Sequence, residues 1–303
     1  MSYLEENRDM VQWVEAEIRA NGLSQAAVGR AIGYASGTIS QFFSGKYQGD
    51  AQNILNRLVQ FIRALQTSKD VVETESYKAA TEFLGIVRSG RKLGVLLGDS
   101  GVGKTKIMRT YAVHNERIAY VEVVQAMNSR EVLYSVADAL LSSSPGGTVY
   151  ECQVAIQKTL RQRPAMIIID QADLLSIKAM DILRSIHDDG NCSMVFVGLP
   201  YLEMLMKRGP RSRENLVYLY SRVGLLRILP RAMKSDVQAF CKKYEFSISD
   251  FFANDVVTWV RNAGEFRMLK NIFDEAKNLV GKIGSSDEEA ITAAKKVVMR
   301  KAA

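Results

Sequence analysis

Apolar residues change their spacing twice along this chain. Val11, Val14 and Ile18, and later Ile54, Leu58, Phe61 and Leu65, recur every three or four positions, the period of an amphipathic helix. The middle of the chain instead carries short unbroken apolar runs at Leu93–Leu97, 118–124, Met166–Asp170, Ser193–Gly198 and 225–229. Such runs read as strands buried on both faces, and helical periods near 129–141 and 149–160 fill two of the intervals. From 234 to 303 the helical period returns. The pattern predicts an α/β chain with a five-stranded parallel sheet and helices on both faces, preceded by an all-α unit and followed by a helical lid. The expected divisions are 1–66, a linker at 67–76 that begins with polar residues 66–69, the α/β domain at 77–230, and the lid at 231–303.

Residues 24–43 predict two short helices with a tight turn. Ser24 can cap the first, Gly33 can turn, and Ser36 can start the second, while Val28, Ile32, Tyr34, Ile39 and Phe42 supply a small core and Gly29 allows close approach. The pattern resembles a DNA-binding helix-turn-helix with residues 36–43 as the groove helix. Ser36, Thr38, Ser40, Gln41 and Lys46 are then the DNA-facing residues. Only Gln41 can make a bidentate base contact, so readout of sequence is expected to be poor. The other reading is a helical hairpin that contacts protein.

The first apolar run ends in Gly98-Asp99-Ser100-Gly101-Val102-Gly103-Lys104-Thr105, which meets the P-loop pattern GxxxxGK[ST]. Its backbone N–H groups can converge on phosphate oxygens, Lys104 can meet the β and γ phosphates, and the Thr105 hydroxyl can ligate Mg²⁺. ATP and Mg²⁺ are the implied cofactors, with Lys106 next along the loop. Met166–Asp170 has the Walker B form, an apolar strand that ends in a carboxylate beside the metal. One strand lies between the two motifs in sequence, as in AAA+, helicase and RecA-like proteins. Gln171 follows Asp170 where that branch usually has glutamate. An amide can position water but cannot take its proton, so slow hydrolysis is expected. Gln171 is either the native residue of a weak ATPase or a Glu-to-Gln change that holds the ATP state. Leu199 stands where a polar sensor is usual, and Asp173 is expected to cap the next helix.

Forty Lys and Arg against 33 Asp and Glu give a net charge of +7, which suits a polyanionic partner. No apolar stretch approaches a membrane span, and MSYLEENRDM lacks the features of a signal peptide, so a soluble cytoplasmic protein without membrane contact is expected. Cys152, Cys192 and Cys241 are spaced for neither disulfides nor metal, and His114 and His187 are read as structural.

Arg222, in Leu-Tyr-Ser-Arg before the fifth strand, occupies the place of an arginine finger that reaches a neighbouring subunit's γ-phosphate. Gly264-Glu265-Phe266-Arg267 resembles a sensor-2 motif that sets Arg267 over the phosphates. With the segments SGTIS, KYQGD, GDSGVGKT, IIIDQAD, LYSRV and GEFRMLKN, the chain resembles the MuB-like AAA+ transposition regulators over nearly its whole length. The resemblance implies an ATPase that forms helical filaments on double-stranded DNA with little sequence preference and delivers that DNA to a DDE transposase. It also implies target immunity, in which the transposase stimulates hydrolysis and displaces the protein near transposon ends. Lys104, Asp170, Gln171 and Arg222 would be the catalytic set. Arg208, Arg211 and Arg213, or Arg231 and Lys234, would join the DNA contacts. A transcription regulator with a nucleotide-sensing P-loop module, or a helicase loader, are the alternatives.

Overall fold

The N-terminal apolar stripes close on one another. The computed structural model describes residues 7–69, 71–141, 146–207, 217–261, 263–280 and 286–300. Helices α1 (Arg8–Ala20), α2 (Gln25–Ile32), α3 (Ser36–Phe43) and α4 (Ala51–Lys69) bury Val14, Val28, Ile39, Phe42, Ile54 and Leu58 in a core of their own. Ser24 caps α2 by accepting the Ala27 N–H at 3.1 Å, and Gly33 ends it with φ 82°. A Cβ on Gly29 would lie 2.7 Å from the Tyr34 carbonyl oxygen, so the turn closes only over glycine. Ser36 is the first residue of α3, with Ala35 in the cap position. Residues 66–69, expected as linker, instead continue α4 through Lys69. Polar residues extend a helix at small cost, so polarity alone did not mark its end.

Helix α5 (Glu75–Ser89) was absent from the strand-based reading. Thr74 caps it through the Tyr77 N–H at 3.2 Å, and Ala80, Phe83, Leu84 and Val87 form its buried stripe. Five parallel strands follow: β1 (Leu93–Leu97), β2 (Ile118–Glu122), β3 (Met166–Asp170), β4 (Ser193–Gly198) and β5 (Val223–Ile228). Their order is β2-β3-β4-β1-β5. Every residue of β1, β3 and β4 is buried, which accounts for their unbroken apolar runs. Alternate side chains serve opposite faces. Ile168, Val195 and Val197 enter one core with α5 and α6 (Lys104–His114), whereas Ile167, Ile169, Met194 and Phe196 enter a second. That second core is closed by α7 (Ser129–Leu140), α8 (Val149–Gln162) and α9 (Ile177–Gly190), and reaches α10 (Tyr201–Lys207) and α11 (Val217–Tyr220).

The lid comprises α12 (Lys234–Tyr244), α13 (Asp250–Arg261), α14 (Glu265–Leu279) and α15 (Asp287–Arg300). Phe240, Phe266, Leu269 and Phe273 belong to the same continuous core as the sheet's Ile168 and Val197. At the other end, α4 lies against α6 near the sheet edge formed by β2. The Arg57 guanidinium ties that junction, donating to the carbonyls of Ile32 at 3.0 Å and Leu141 at 2.9 Å, and to that of Asp138. All three cysteines are buried, and burial pushes the thiol of Cys192 up to about 12. No helix among the described residues is long and apolar enough to cross a membrane.

Candidate nucleotide-binding site

The turn from β1 into α6 makes the floor of a cleft of about 560 Å³. Gly101 and Gly103 have φ of 91° and 87°, and α6 begins at Lys104, so its first N–H groups face the loop without helical partners. Ser100 through Lys106 line the cleft. The Lys104 ammonium donates to the carbonyls of Gly98 at 2.6 Å and Asp99 at 3.0 Å. Burial lowers its pKa, opposed by the carboxylates of Asp170, Asp173 and Asp99. A triphosphate at the loop would add negative charge that favours the ammonium form, which burial alone disfavours.

Asp170 ends β3 fully buried, at 0% exposure. It accepts hydrogen bonds from the Gln171 N–H at 2.9 Å, from the Tyr120 hydroxyl at 3.0 Å, and from the Thr105 side chain. Burial nevertheless raises its pKa. The Tyr120 hydroxyl is raised too, by burial and then by the nearby carboxylates of Asp170 and Glu122. One carboxylate beside one hydroxyl is the partial ligand set that Mg²⁺ takes with phosphate oxygens and water. No cluster of three or more His, Cys, Asp or Glu able to hold a metal exists among the described residues.

Gln171 lines the cleft from a left-handed backbone, φ 56° and ψ 40°. Its Nε2 donates to Glu122 Oε1 at 2.9 Å. Glu122 is a partner that the sequence reading missed, since 49 positions separate it from Gln171. Asp173, expected to cap the next helix, does not. Ser176 caps α9 through the Ala179 N–H at 3.2 Å, while Asp173 Oδ1 accepts the Leu199 N–H at 3.1 Å and so ties the end of β4 to the segment after β3. Leu199 lines the cleft with an apolar side chain.

The lid closes the cleft from above. A Cβ on Gly101 would stand 2.0 Å from the Gly264 carbonyl oxygen, so the P-loop and the start of α14 touch backbone to backbone. Arg267 lines the cleft, as does an apolar group that the sequence reading missed: Val71, Val72, Ile107, Phe240, Tyr244 and Phe266. These residues suit the flat face of a base, and they come from four segments far apart in sequence. Arg231 is not free for phosphates. Its guanidinium meets Glu265 at 2.7 Å and Asp99 at 3.5 Å, and Glu265 is only 2% exposed. Lys234 pairs with Asp250 at 2.7 Å.

Arg222 stands apart from the cleft, half-exposed, with its Nε 3.6 Å from Asp188. On α3, Ser36, Ser40 and Gln41 are exposed, as is Lys46 beyond it, whereas Thr38 is half-buried. Arg208, Arg211 and Arg213 lie outside the described residues. His187 is mostly buried, His114 is exposed, and neither lines the cleft.

A protein-family profile described as an AAA domain matches residues 87–206. The Mu-like prophage FluMu DNA transposition protein B of Haemophilus influenzae is 22% identical over 275 residues, which cover 87% of this chain and 95% of that protein. The ATP-dependent target DNA activator B of Escherichia phage Mu is 24% identical over 222 residues, 71% of each chain. Among solved structures, a Walker-type ATPase of Pyrococcus abyssi superposes with a TM-score of 0.56 over 77% of this chain and 73% of its own, at 12% identity, a likeness of fold alone. A five-stranded parallel sheet in the order 2-3-4-1-5, a P-loop cleft under a helical lid, and relatives aligned over most of the chain lead to one conclusion: the chain has the AAA P-loop fold and is similar over most of its length to the DNA transposition proteins B of Mu-like phages.

Proposed function

We propose that this chain is an ATP-dependent target-DNA activator, which assembles copy upon copy along double-stranded DNA and presents it to a DDE transposase. The observation that carries the reading is the position of Arg222. The cleft gathers a P-loop, a buried carboxylate and a lid arginine from one chain, while Arg222 is turned to Asp188 on the surface. A guanidinium so placed suits a neighbour's γ-phosphate, and a site completed by the next copy makes ATP the link between subunits. In this scheme Gly98 through Lys106 hold the phosphates, Thr105 and Asp170 hold Mg²⁺, Gln171 orients water, and Arg267 reads the phosphates from the lid. Mg²⁺, when bound, would offset phosphate charge. The names of two relatives, a DNA transposition protein and an ATP-dependent target DNA activator, support the same reading.

DNA contact in this scheme is largely to phosphates. Ser36, Ser40, Gln41 and Lys46 offer short polar and cationic groups, joined by Arg208, Arg211 and Arg213. Arg231 and Lys234 contribute less, because Glu265, Asp99 and Asp250 already engage them. Affinity should therefore depend little on sequence and steeply on salt.

Electron microscopy and footprinting on random duplex, with and without ATP, test the proposal. Parent protein should coat any duplex in ATP and protect a length that grows with protein concentration. Lys104→Ala should keep only the weak binding that ATP does not alter. Protection of one fixed sequence would favour a transcription regulator, and particles that stay monomeric on long DNA in every adenine nucleotide would overturn the scheme.

A further inference from the structure

Gln171 holds the position where a carboxylate is expected, yet a carboxylate stands one strand away. Glu122 ends β2 directly opposite Asp170 in the register of the sheet. Its Oε1 accepts the Gln171 Nε2–H at 2.9 Å. An ionised carboxylate can only accept, so the amide must turn its nitrogen to Glu122, and its carbonyl oxygen becomes the end offered to the cleft that Gln171 lines. Glu122 is itself held in place: Arg109 of α6 bonds to Oε2, and the Tyr120 hydroxyl reaches the same oxygen at 3.4 Å. Tyr120 also donates to Asp170 at 3.0 Å, so one small network joins the metal-side carboxylate to Gln171.

We propose that Glu122 is a positioning residue for ATP hydrolysis, which fixes the Gln171 amide with its carbonyl oxygen toward the attacking water. The inference rests on the reading that the chain hydrolyses ATP. Glu122 does not line the nucleotide cleft and acts through Gln171. An amide set this way accepts a hydrogen bond from water and aligns it, while the opposite rotamer would present N–H donors to the water oxygen and oppose attack. Glu122 thus selects an amide at position 171. A carboxylate introduced there would meet the Glu122 carboxylate at hydrogen-bond distance, with Asp170 adjacent, and such like charges disfavour joint ionisation. Gln171→Glu alone should therefore gain little, although it supplies a better base. Adding Glu122→Gln reverses the polarity of the pair and relieves the repulsion.

The test is steady-state phosphate release by the full chain on duplex DNA, with binding of a fluorescent ATP analogue measured in parallel. Glu122→Gln should lower kcat about tenfold with KM for ATP unchanged within about twofold. The double variant Glu122→Gln, Gln171→Glu should exceed Gln171→Glu alone by about tenfold, a coupling that independent sites would not show. Unchanged kcat in Glu122→Gln, or equal kcat in Gln171→Glu and the double variant, would overturn the proposal. So would parallel losses of melting temperature and ATP affinity without recovery in the double variant, since these mark a structural role only. Phosphate release by the parent no greater than that of Lys104→Ala is a different failure: it would sink the hydrolysis reading, and the positioning role with it.

Discussion

At the scale of single residues, Asp170 balances function against stability. Burial raises its pKa above the ordinary 3.8 despite three hydrogen bonds. A raised folded pKa means a stabilising contribution that is complete below 3.8 and lost as pH rises through the folded value. At neutral pH the ionised side chain is therefore a net cost to stability. Asp170→Asn should raise the melting temperature of the nucleotide-free protein by about 2 °C at pH 7, a gain that narrows as the pH is lowered. Phosphate release should fall by about a hundredfold or more. Calorimetry at several pH values with a phosphate assay checks both, and a lower melting temperature at pH 7 would contradict the argument. Asp170 was legible because it ends an apolar run. Glu122 was not, because nothing local marks a residue whose partner is supplied by another strand.

Among the elements, α5 and the lid show how packing partners are set. Asp236 of α12 is almost fully buried and accepts the Glu75 N–H at the start of α5 and the Met233 N–H, each at 2.7 Å. Ser76 adds a bond to the Pro230 carbonyl at 2.6 Å. One side chain thus caps two helices and clamps the segment that leads from the N-terminal unit to the entrance of the lid. Asp236→Ala should cost about 2 kcal/mol, since two part-buried N–H groups lose a charged acceptor. Urea titration should show a lower midpoint at constant slope, and a midpoint within error of the parent would refute the clamp. The stripe of Ala80, Phe83, Leu84 and Val87 carried the signal for α5, and Thr74 marked its start. The end of α4 was misplaced because residues 66–69 are polar but compatible with helix.

For the whole molecule the question is where the site is completed. If Arg222 serves the next copy, Lys104→Ala and Arg222→Ala should each abolish hydrolysis alone yet complement when mixed. In an equal mixture about a quarter of interfaces pair an intact P-loop with an intact finger, so roughly that share of parent activity should return. Phosphate release across mixing ratios measures it, and no recovery at any ratio would place completion of the site within one chain. The Arg57 bonds hold the N-terminal unit at the β2 edge while Ser36, Ser40 and Gln41 of α3 stay exposed. By itself the sequence determined the strands, the P-loop, the terminal carboxylate of β3 and the helical character of the regions before and after the sheet, since each is written in local spacing that backbone geometry turns directly into structure. Only the tertiary structure decided that Glu122 faces Gln171, that Arg231 is spent on Glu265 and Asp99, and that Val72, Phe240 and Phe266 share one wall. Those pairings join residues far apart along the chain, and the order of strands and the closure of the lid, not spacing, bring them into contact.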